Sequence, residues 1–430
     1  MIWLSGWENR LQLTISGGCI DEDLYEFPVL VKIDSSYCEL FNTIGSNSKK
    51  IQFTNSNGTR LYTEIQHWDN SGEIAILWTK LDVITSGGDT DFYLFYDNSQ
   101  SDNDTYVGNT GTSAAQQVWD SYFICVYHFQ ETDGNLIDST SNNHDGTISN
   151  LTTVDRSILG PIGNAVSFTN SYISLPDVAS FRPNLVTIEA FCKTYAHNLD
   201  DTRIFDRSHG SNYGYSLAID SYGKGQFEIV VTGTVDYQTK TTEILEGNSQ
   251  WNNIAGTYDN NGLVQIYNNG LLNQRIFGVA GNILHEPTQT PMIGNGTFND
   301  NYLGEIVEFR LSNRDRSASW IKATNYSNKN QLLTYHIDKG KTIEDTYSYS
   351  ISGYVKQNGA DVSRIVRLYH ENSGLLDREI QSNVSDGKFF FDIIRNRFDN
   401  YFIVVLDEDS DYYNFNALIQ NKIIPTATIK

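Results

Sequence analysis

The stretch LGEIVEFRLSNRDRSASWIKATNYSN, residues Leu303 to Asn328, decides the fold. Gly304 to Leu311 reads as a strand, in which successive side chains point to opposite faces. Ser317 then supplies a side-chain oxygen for the unsatisfied N–H groups at the start of a helix, and a short helix is predicted from Ser317 to Tyr326.

Working outward, further strands are predicted at Phe123 to Phe129, Ala165 to Phe168, Tyr172 to Leu175, Val186 to Cys192, Tyr215 to Ile219, Phe227 to Val231, Trp251 to Tyr258 and Leu263 to Tyr267. Before them, alternation recurs at Leu11 to Ile15, Val29 to Ile33, Ile51 to Thr54, Glu64 to Trp68, Ala75 to Trp78 and Phe92 to Tyr96, with turns such as Asn57-Gly58 between. The polar stretch from Asp97 to Ala115 reads as a linker. After Lys339-Gly340-Lys341, strands at Tyr349 to Lys356, Arg364 to Tyr369, Lys388 to Ile393 and Tyr401 to Leu406 suggest a third, smaller section. The chain is therefore expected to be all-β, with three β-sandwich domains in series at 1–117, 118–338 and 345–430.

Composition agrees. Tyr (26) and Phe (21) favour strands, while prolines (7) and methionines (2) are few. A net charge of −22 argues against nucleic acid and anionic membrane surfaces, both of which call for a basic face. There is no apolar run near the ~20 residues a membrane helix needs. The start, MIWLSGWENR, lacks the basic and apolar regions of a secretory leader. Cys19, Cys38, Cys125 and Cys192 match no zinc or redox spacing; two intradomain bridges or four thiols both fit.

Three segments resemble known families. "FPVLVKI" (Phe27 to Ile33), "KKIQFTNSNGTRLYTEIQHWD" (Lys49 to Asp69) and "DFYLFYDN" (Asp91 to Asn98) resemble a domain of unknown function that commonly precedes laminin-G-like domains. "VYHFQETDGNLIDSTSNNHDGTI" (Val126 to Ile148), "GNAVSF" (Gly163 to Phe168), "WNNIAGTYD" (Trp251 to Asp259) and the Leu303 to Asn328 block resemble a laminin-G-like, concanavalin A-like lectin/glucanase domain. That resemblance implies a jelly-roll sandwich at the centre. "SGYVKQNGADVSRIVRLYHENSGLLDREIQS" (Ser352 to Ser382) resembles a carboxypeptidase-regulatory-like sandwich. This order of domains is similar to phage virion proteins. It implies a surface protein of capsid or tail for host attachment or display, a homo-oligomer partnered by other virion proteins and host surface glycans, with neither nucleic acid nor membrane insertion.

Enzymes of the concanavalin A-like fold flank a glycosidic bond with two carboxylates on one strand face. Glu305 and Glu308 are three residues apart, which places them on opposite faces of a regular strand, so the chain is expected to be no enzyme. Glu308 and Arg310 share a face and are expected to pair. His128 reads as a satisfied strand histidine. The laminin-G-like resemblance implies a Ca²⁺ site, and the oxygen-rich run after the opening strand offers Asp138, Asn143 and Asp145, with Glu308 reaching the same end. The plainer reading of that run is a turn whose side chains cap their own backbone. Asp407 to Asp411 reads as an acidic turn, since Tyr412 stands where a calcium loop needs glycine. For a glycan, which wants aromatics for stacking and amides for hydroxyls, two loops qualify: one with Asn212, Tyr213 and Tyr215, the other with Phe298 and Tyr302.

Overall fold

The computed structural model describes residues 3–338 except 153–154, 197–200, 209–211, 234, 248 and 299, and then 347–357, 360–370, 376–391, 401–405, 418–423 and 426–429. It comprises two compact units, residues 1–340 and 341–430.

The larger unit holds two sandwiches. In the first, one sheet runs in the order Leu333–Asp338, Asn9–Ile15, Thr90–Tyr96, Ile51–Asn55, Arg60–Leu61. Its partner sheet runs Leu24–Ile33, Ile74–Ile84, Thr63–Asp69, Val107–Asn109. Two features escape the sequence. The stretch from Asp97 to Ala115 is built into the sandwich: Val107–Asn109 pairs parallel to Thr63–Asp69, and Asn103 Nδ2 donates to Ile51 O at 2.9 Å. The edge strand Leu333–Asp338 comes from far along the chain, with Tyr335 opposite Leu13 on the first strand.

In the second sandwich, a seven-stranded sheet runs Thr147–Ser149, Tyr172–Ser174, Met292–Ile293, Thr202–Ser208, Gly214–Ile219, Lys224–Val231, Val235–Ile244. Facing it, the larger sheet is centred on Gly304–Ser312, Val186–Thr194 and Asn252–Tyr258. Phe205, Leu217, Phe227, Ile188, Phe309 and Leu311 fill the space between the sheets. At the free edge the two sheets close each other. Gln274 Oε1 accepts from Lys240 N at 3.0 Å, and Asn273 Oδ1 from Thr242 N at 2.9 Å, so backbone groups an edge strand would leave open are occupied.

The closing helix, Ala318–Asn328, starts where predicted, with Ser317 Oγ accepting from Trp320 N at 3.2 Å. It lies on the first sandwich, with the Trp320 ring 4.7 Å from that of Phe27. One core runs through Leu30, Trp78 and Leu81 of the first sandwich into Phe191, Val307 and Trp320 of the second. Burying side chains of this size stabilises by roughly 1.5–3 kcal/mol each, so the contact is a core and not a touching of surfaces.

All four cysteines are free thiols. In the smaller unit, Tyr347–Tyr354 pairs with Lys388–Phe391 and Thr426–Ile429, and a second sheet runs Leu376–Gln381, Ile365–His370, Tyr401–Val405, Leu418–Ile423. Ile351, Val366, Leu368, Phe391 and Ile403 form its core. The acidic run Asp407 to Asp411 lies outside the described residues.

Candidate functional site

The carboxylates of the decisive strand are not arranged as its sequence spacing implies. Phe191 lies opposite Glu308, but Cys192 lies opposite Ile306 and Lys193 opposite Glu305, so Val307 is a bulge. A bulge adds a residue to one strand and shifts the alternation. Glu305, Glu308 and Arg310 consequently share the outer face. The parity argument that separated the two glutamates fails, yet both are committed to other partners. Glu305 is held by Lys193 Nζ at 2.7 Å and accepts from the Tyr195 hydroxyl.

Glu308 belongs to a buried charged cluster between the sandwiches. It accepts from Arg310 Nε at 2.8 Å and lies 2.6 Å from His128 Nδ1. Glu64, from the first sandwich, lies 3.5 Å from His128 Nε2 and accepts from Trp119 Nε1 at 2.7 Å and Ser139 Oγ at 2.8 Å. The His128 ring stacks on Trp78, and the Arg310 guanidinium stands 4.7 Å from the centre of that same indole. Burial opposes a charged imidazole here, but the Glu308 and Glu64 carboxylates outweigh it and raise His128 to about 10. A second pair, Arg316 to Asp120, is bidentate at 2.8 and 2.9 Å.

The residues expected to hold Ca²⁺ do not form a set. Asp138 Oδ1 accepts from the N–H groups of Val126 (3.1 Å) and Thr140 (2.9 Å), and Oδ2 from Thr140 Oγ1 (2.9 Å) and His144 N (2.9 Å). With four donors the carboxylate has no lone pair left for a cation. Asp145 Oδ1 accepts from Asp138 N at 3.0 Å, Asn143 bonds to Gln116, and Glu308 faces two cationic side chains elsewhere. Among the described residues no three carboxylate, histidine or cysteine groups converge as metal ligands. The run is a self-capping turn.

The outer face of the seven-stranded sheet carries polar rows, of which Asp206, Ser216, Gln226 and Glu228 are buried, and its rim has the makings of a site. Register sets side chains in rows across it. Arg203 stands beside Ala218, then Gln226, then Lys240; the next row is Asp206, Ser216, Glu228, Gln238; beyond it Val230 stands beside Asp236. Phe205, Leu217 and Phe227, on the alternate positions, point into the core. Arg203 Nη1 donates to Ser216 Oγ at 2.6 Å and to Glu228 Oε2 at 2.9 Å, and its Nε lies 3.9 Å from Asp300. Lys240 pairs with Asp220 at 2.9 Å. Burial and the adjacent Glu228 carboxylate push Asp236 up to about 6.

Residues 294–298 lie along one side of this floor. Asp206 Oδ2 accepts from Thr297 N at 3.0 Å, and Thr297 Oγ1 donates to Ser208 O at 2.7 Å. A Cβ at Gly296 would fall 2.7 Å from Arg203 Cγ, so only glycine lets the loop lie this close. The Ser208 bond also ties this loop to the end of the Thr202–Ser208 strand, where Ser208 lies opposite Gly214, next to Tyr213. Phe298 is 63% exposed, Asn212 is exposed and Tyr213 half-buried. Tyr215 and Tyr302 are corrections. Both are fully buried, Tyr215 donating to Phe181 O at 3.1 Å and Tyr302 lying 3.1 Å from Thr194 Oγ1, and neither presents a ring to a ligand. Their alternation with Leu217 and Ile219, and with Ile306, was the signal for that. Sequence reading missed Tyr222, 74% exposed in the turn closing the floor at the Asp220 end, and missed Arg203, Asp206, Glu228 and Asp236.

The class is that of a concanavalin A-like sandwich joined to a second β-domain. Residues 167–322 match the Concanavalin A-like lectin/glucanases superfamily, and residues 47–144 match Domain of unknown function (DUF2341). No curated protein matches the chain. Among solved structures, domain 4 of AbnA, an extracellular arabinanase from Geobacillus stearothermophilus, in complex with arabinotriose, is similar at 20% identity and a TM-score of 0.38, over 46% of this chain and 96% of that one. The botulinum neurotoxin serotype D binding domain is similar at 14% and 0.38, over 70% and 78%. The Ruminococcus gnavus IT-sialidase CBM40 bound to sialyllactose is similar at 18% and 0.30, over 34% and 84%.

Proposed function

We propose that this chain is a non-catalytic glycan-binding protein whose ligand lies at the rim of the outer face of the seven-stranded sheet. The observation that carries this is the pair of exposed rings, Phe298 and Tyr222, at the margins of that face, whose buried polar rows hold the rim in place. A sugar has an apolar face that stacks on an aromatic ring and hydroxyls that need fixed polar partners. A non-catalytic role is supported by the commitments of the carboxylates: Glu228 is paired with Arg203, Asp206 anchors the Thr297 loop, and Glu308 is buried in the cluster at the join. As the finer part of the same proposal, the protein is displayed on a virus particle for host attachment, in several copies that add avidity. The order of three β-rich sections supports that part.

A glycan array followed by calorimetry tests the binding. Phe298→Ala is expected to weaken the best ligand about tenfold, the loss of roughly 1.4 kcal/mol of stacking, with an unchanged melting temperature. An array without a hit sinks the proposal. Antibody labelling of purified particles tests the display, and particles that carry no label would remove it.

A further inference from the structure

We infer that the outer edge of the larger sheet of the second sandwich is a contact surface for a second copy of this chain, related by a two-fold axis. The strand Leu271–Ala280 ends that sheet, and seven of its ten residues are exposed, whereas Asn252–Tyr258, two strands in, is wholly buried. Leu271 is 66% exposed, Leu272 40% and Phe277 68%. Register accounts for this. Val264 and Ile266 point into the core, so Leu263 and Tyr267, opposite Phe277 and Leu272, point outward. Tyr267 and its neighbour Ala255 belong to the core shared with the first sandwich. The apolar surface that seats the first sandwich therefore continues beyond that contact, through Leu272 to Phe277.

The strip is held firmly. Asn269 Oδ1, in the turn before it, accepts from Lys329 Nζ at 2.8 Å and from Asn253 N at 3.2 Å, so docking orders little that is not already ordered. Asn273 and Gln274 tie the edge to Thr242 and Lys240, and a partner meets side chains here instead of open backbone. Two exposed charges flank the strip. Arg275 stands 5.0 Å from the Phe277 ring, and Glu243 follows Thr242. Neither is ion-paired among the described residues. A two-fold contact sets one patch against its own copy, so that apolar meets apolar and each Arg275 can meet the other copy's Glu243. A partner of a single charge sign would leave one of the two opposed. Leu271, Leu272 and Phe277 expose on the order of 300 Å² per copy, taking roughly 150–250 Å² for a large side chain, against about 800 Å² per partner in a stable complex. The contact is accordingly weak in dilute solution and effective where copies are crowded together.

The test is sedimentation equilibrium on the full chain at about 5–200 µM, in about 0.3 M salt to screen the repulsion between two chains of net charge −22. A monomer–dimer equilibrium with a Kd of about 10–100 µM is expected. Phe277→Ser is expected to weaken it about tenfold, as loss of a central apolar anchor would, with an unchanged melting temperature and unchanged glycan binding. Arg275→Glu sets like charges against each other and is expected to weaken it about fivefold. Adding Glu243→Arg to that variant is expected to restore the native value, which only pairing between copies can do. A chain that stays monomeric throughout overturns the inference. Association that neither Phe277→Ser nor Arg275→Glu alters overturns it by placing the contact elsewhere. A double variant no better than Arg275→Glu alone overturns the two-fold pairing and leaves the strip to a different partner.

Discussion

His128→Ala is expected to destabilise residues 1–340 by about 3–5 kcal/mol at neutral pH, because it removes the cation between two buried carboxylates, leaving Glu308 only Arg310 and taking from Glu64 the imidazolium beside it. Urea denaturation followed by tryptophan fluorescence reads this directly, since Trp78 and Trp119 flank the ring. The pH profile identifies the cause. An unfolded histidine titrates near 6.5, whereas His128 in the folded chain is raised to about 10. Its contribution is therefore full below about pH 6.5 and declines as pH rises, to vanish above about 10. The native chain should lose stability across that window, and His128→Gln should show a flatter slope there. On the acid side, burial opposes the charge on Glu64, but His128 and the donors around it hold its carboxyl below the usual range. The Glu64 share of stability is present above its unfolded value and is lost as pH falls. Equal slopes for native and His128→Gln between pH 6.5 and 10 would show that the imidazolium does not join the sandwiches.

Gly214→Ala is the second large effect. Gly214 has φ +90°, and a Cβ there would lie 1.8 Å from the Arg207 carbonyl oxygen, a backbone atom with no freedom to withdraw. The Thr202–Ser208 and Gly214–Ile219 strands would have to splay where Ser208 receives Thr297. We expect a loss of more than about 3 kcal/mol and a melting temperature lower by about 6 °C or more, with glycan binding lost as well. Gly233→Ala is the control. Its φ is +98°, but the added carbon meets nothing within 4 Å, so it carries only the backbone strain of roughly 1 kcal/mol. Similar melting temperatures for the two variants would mean that the hairpin is not held at this point.

Much of the fold was legible in the alternation of apolar residues, and the Ser317 cap marked the start of the closing helix. What alternation alone cannot convey is where it breaks. The bulge at Val307 has no glycine or proline to announce it, and it alone brings Glu305 and Glu308 to one face. The site was half legible. Phe298 and the two loops stand out as Asn- and aromatic-rich segments, but Arg203, Asp206, Glu228 and Asp236 are spread over three strands. Cross-strand pairing makes them neighbours, and no single segment contains more than two of them. Tyr215 and Tyr302 mislead because composition cannot tell an aromatic in a loop from one at the inward end of a strand. Asp138 misleads because a carboxylate that satisfies backbone donors and one that binds a cation draw on the same residue types.

The strand Leu333–Asp338, seated beside Asn9–Ile15, has a consequence for the order of events during synthesis. A ribosome adds roughly 5–20 residues per second, so the first sheet waits on the order of tens of seconds for its edge strand. Meanwhile the whole central sandwich is made and can close on its own strands. Until Asp338 has emerged, the backbone groups along Asn9–Ile15 that it will cover stay open to any passing strand, the native one or another chain's. The first sandwich is thus completed only after the central one whose strands follow it in the chain.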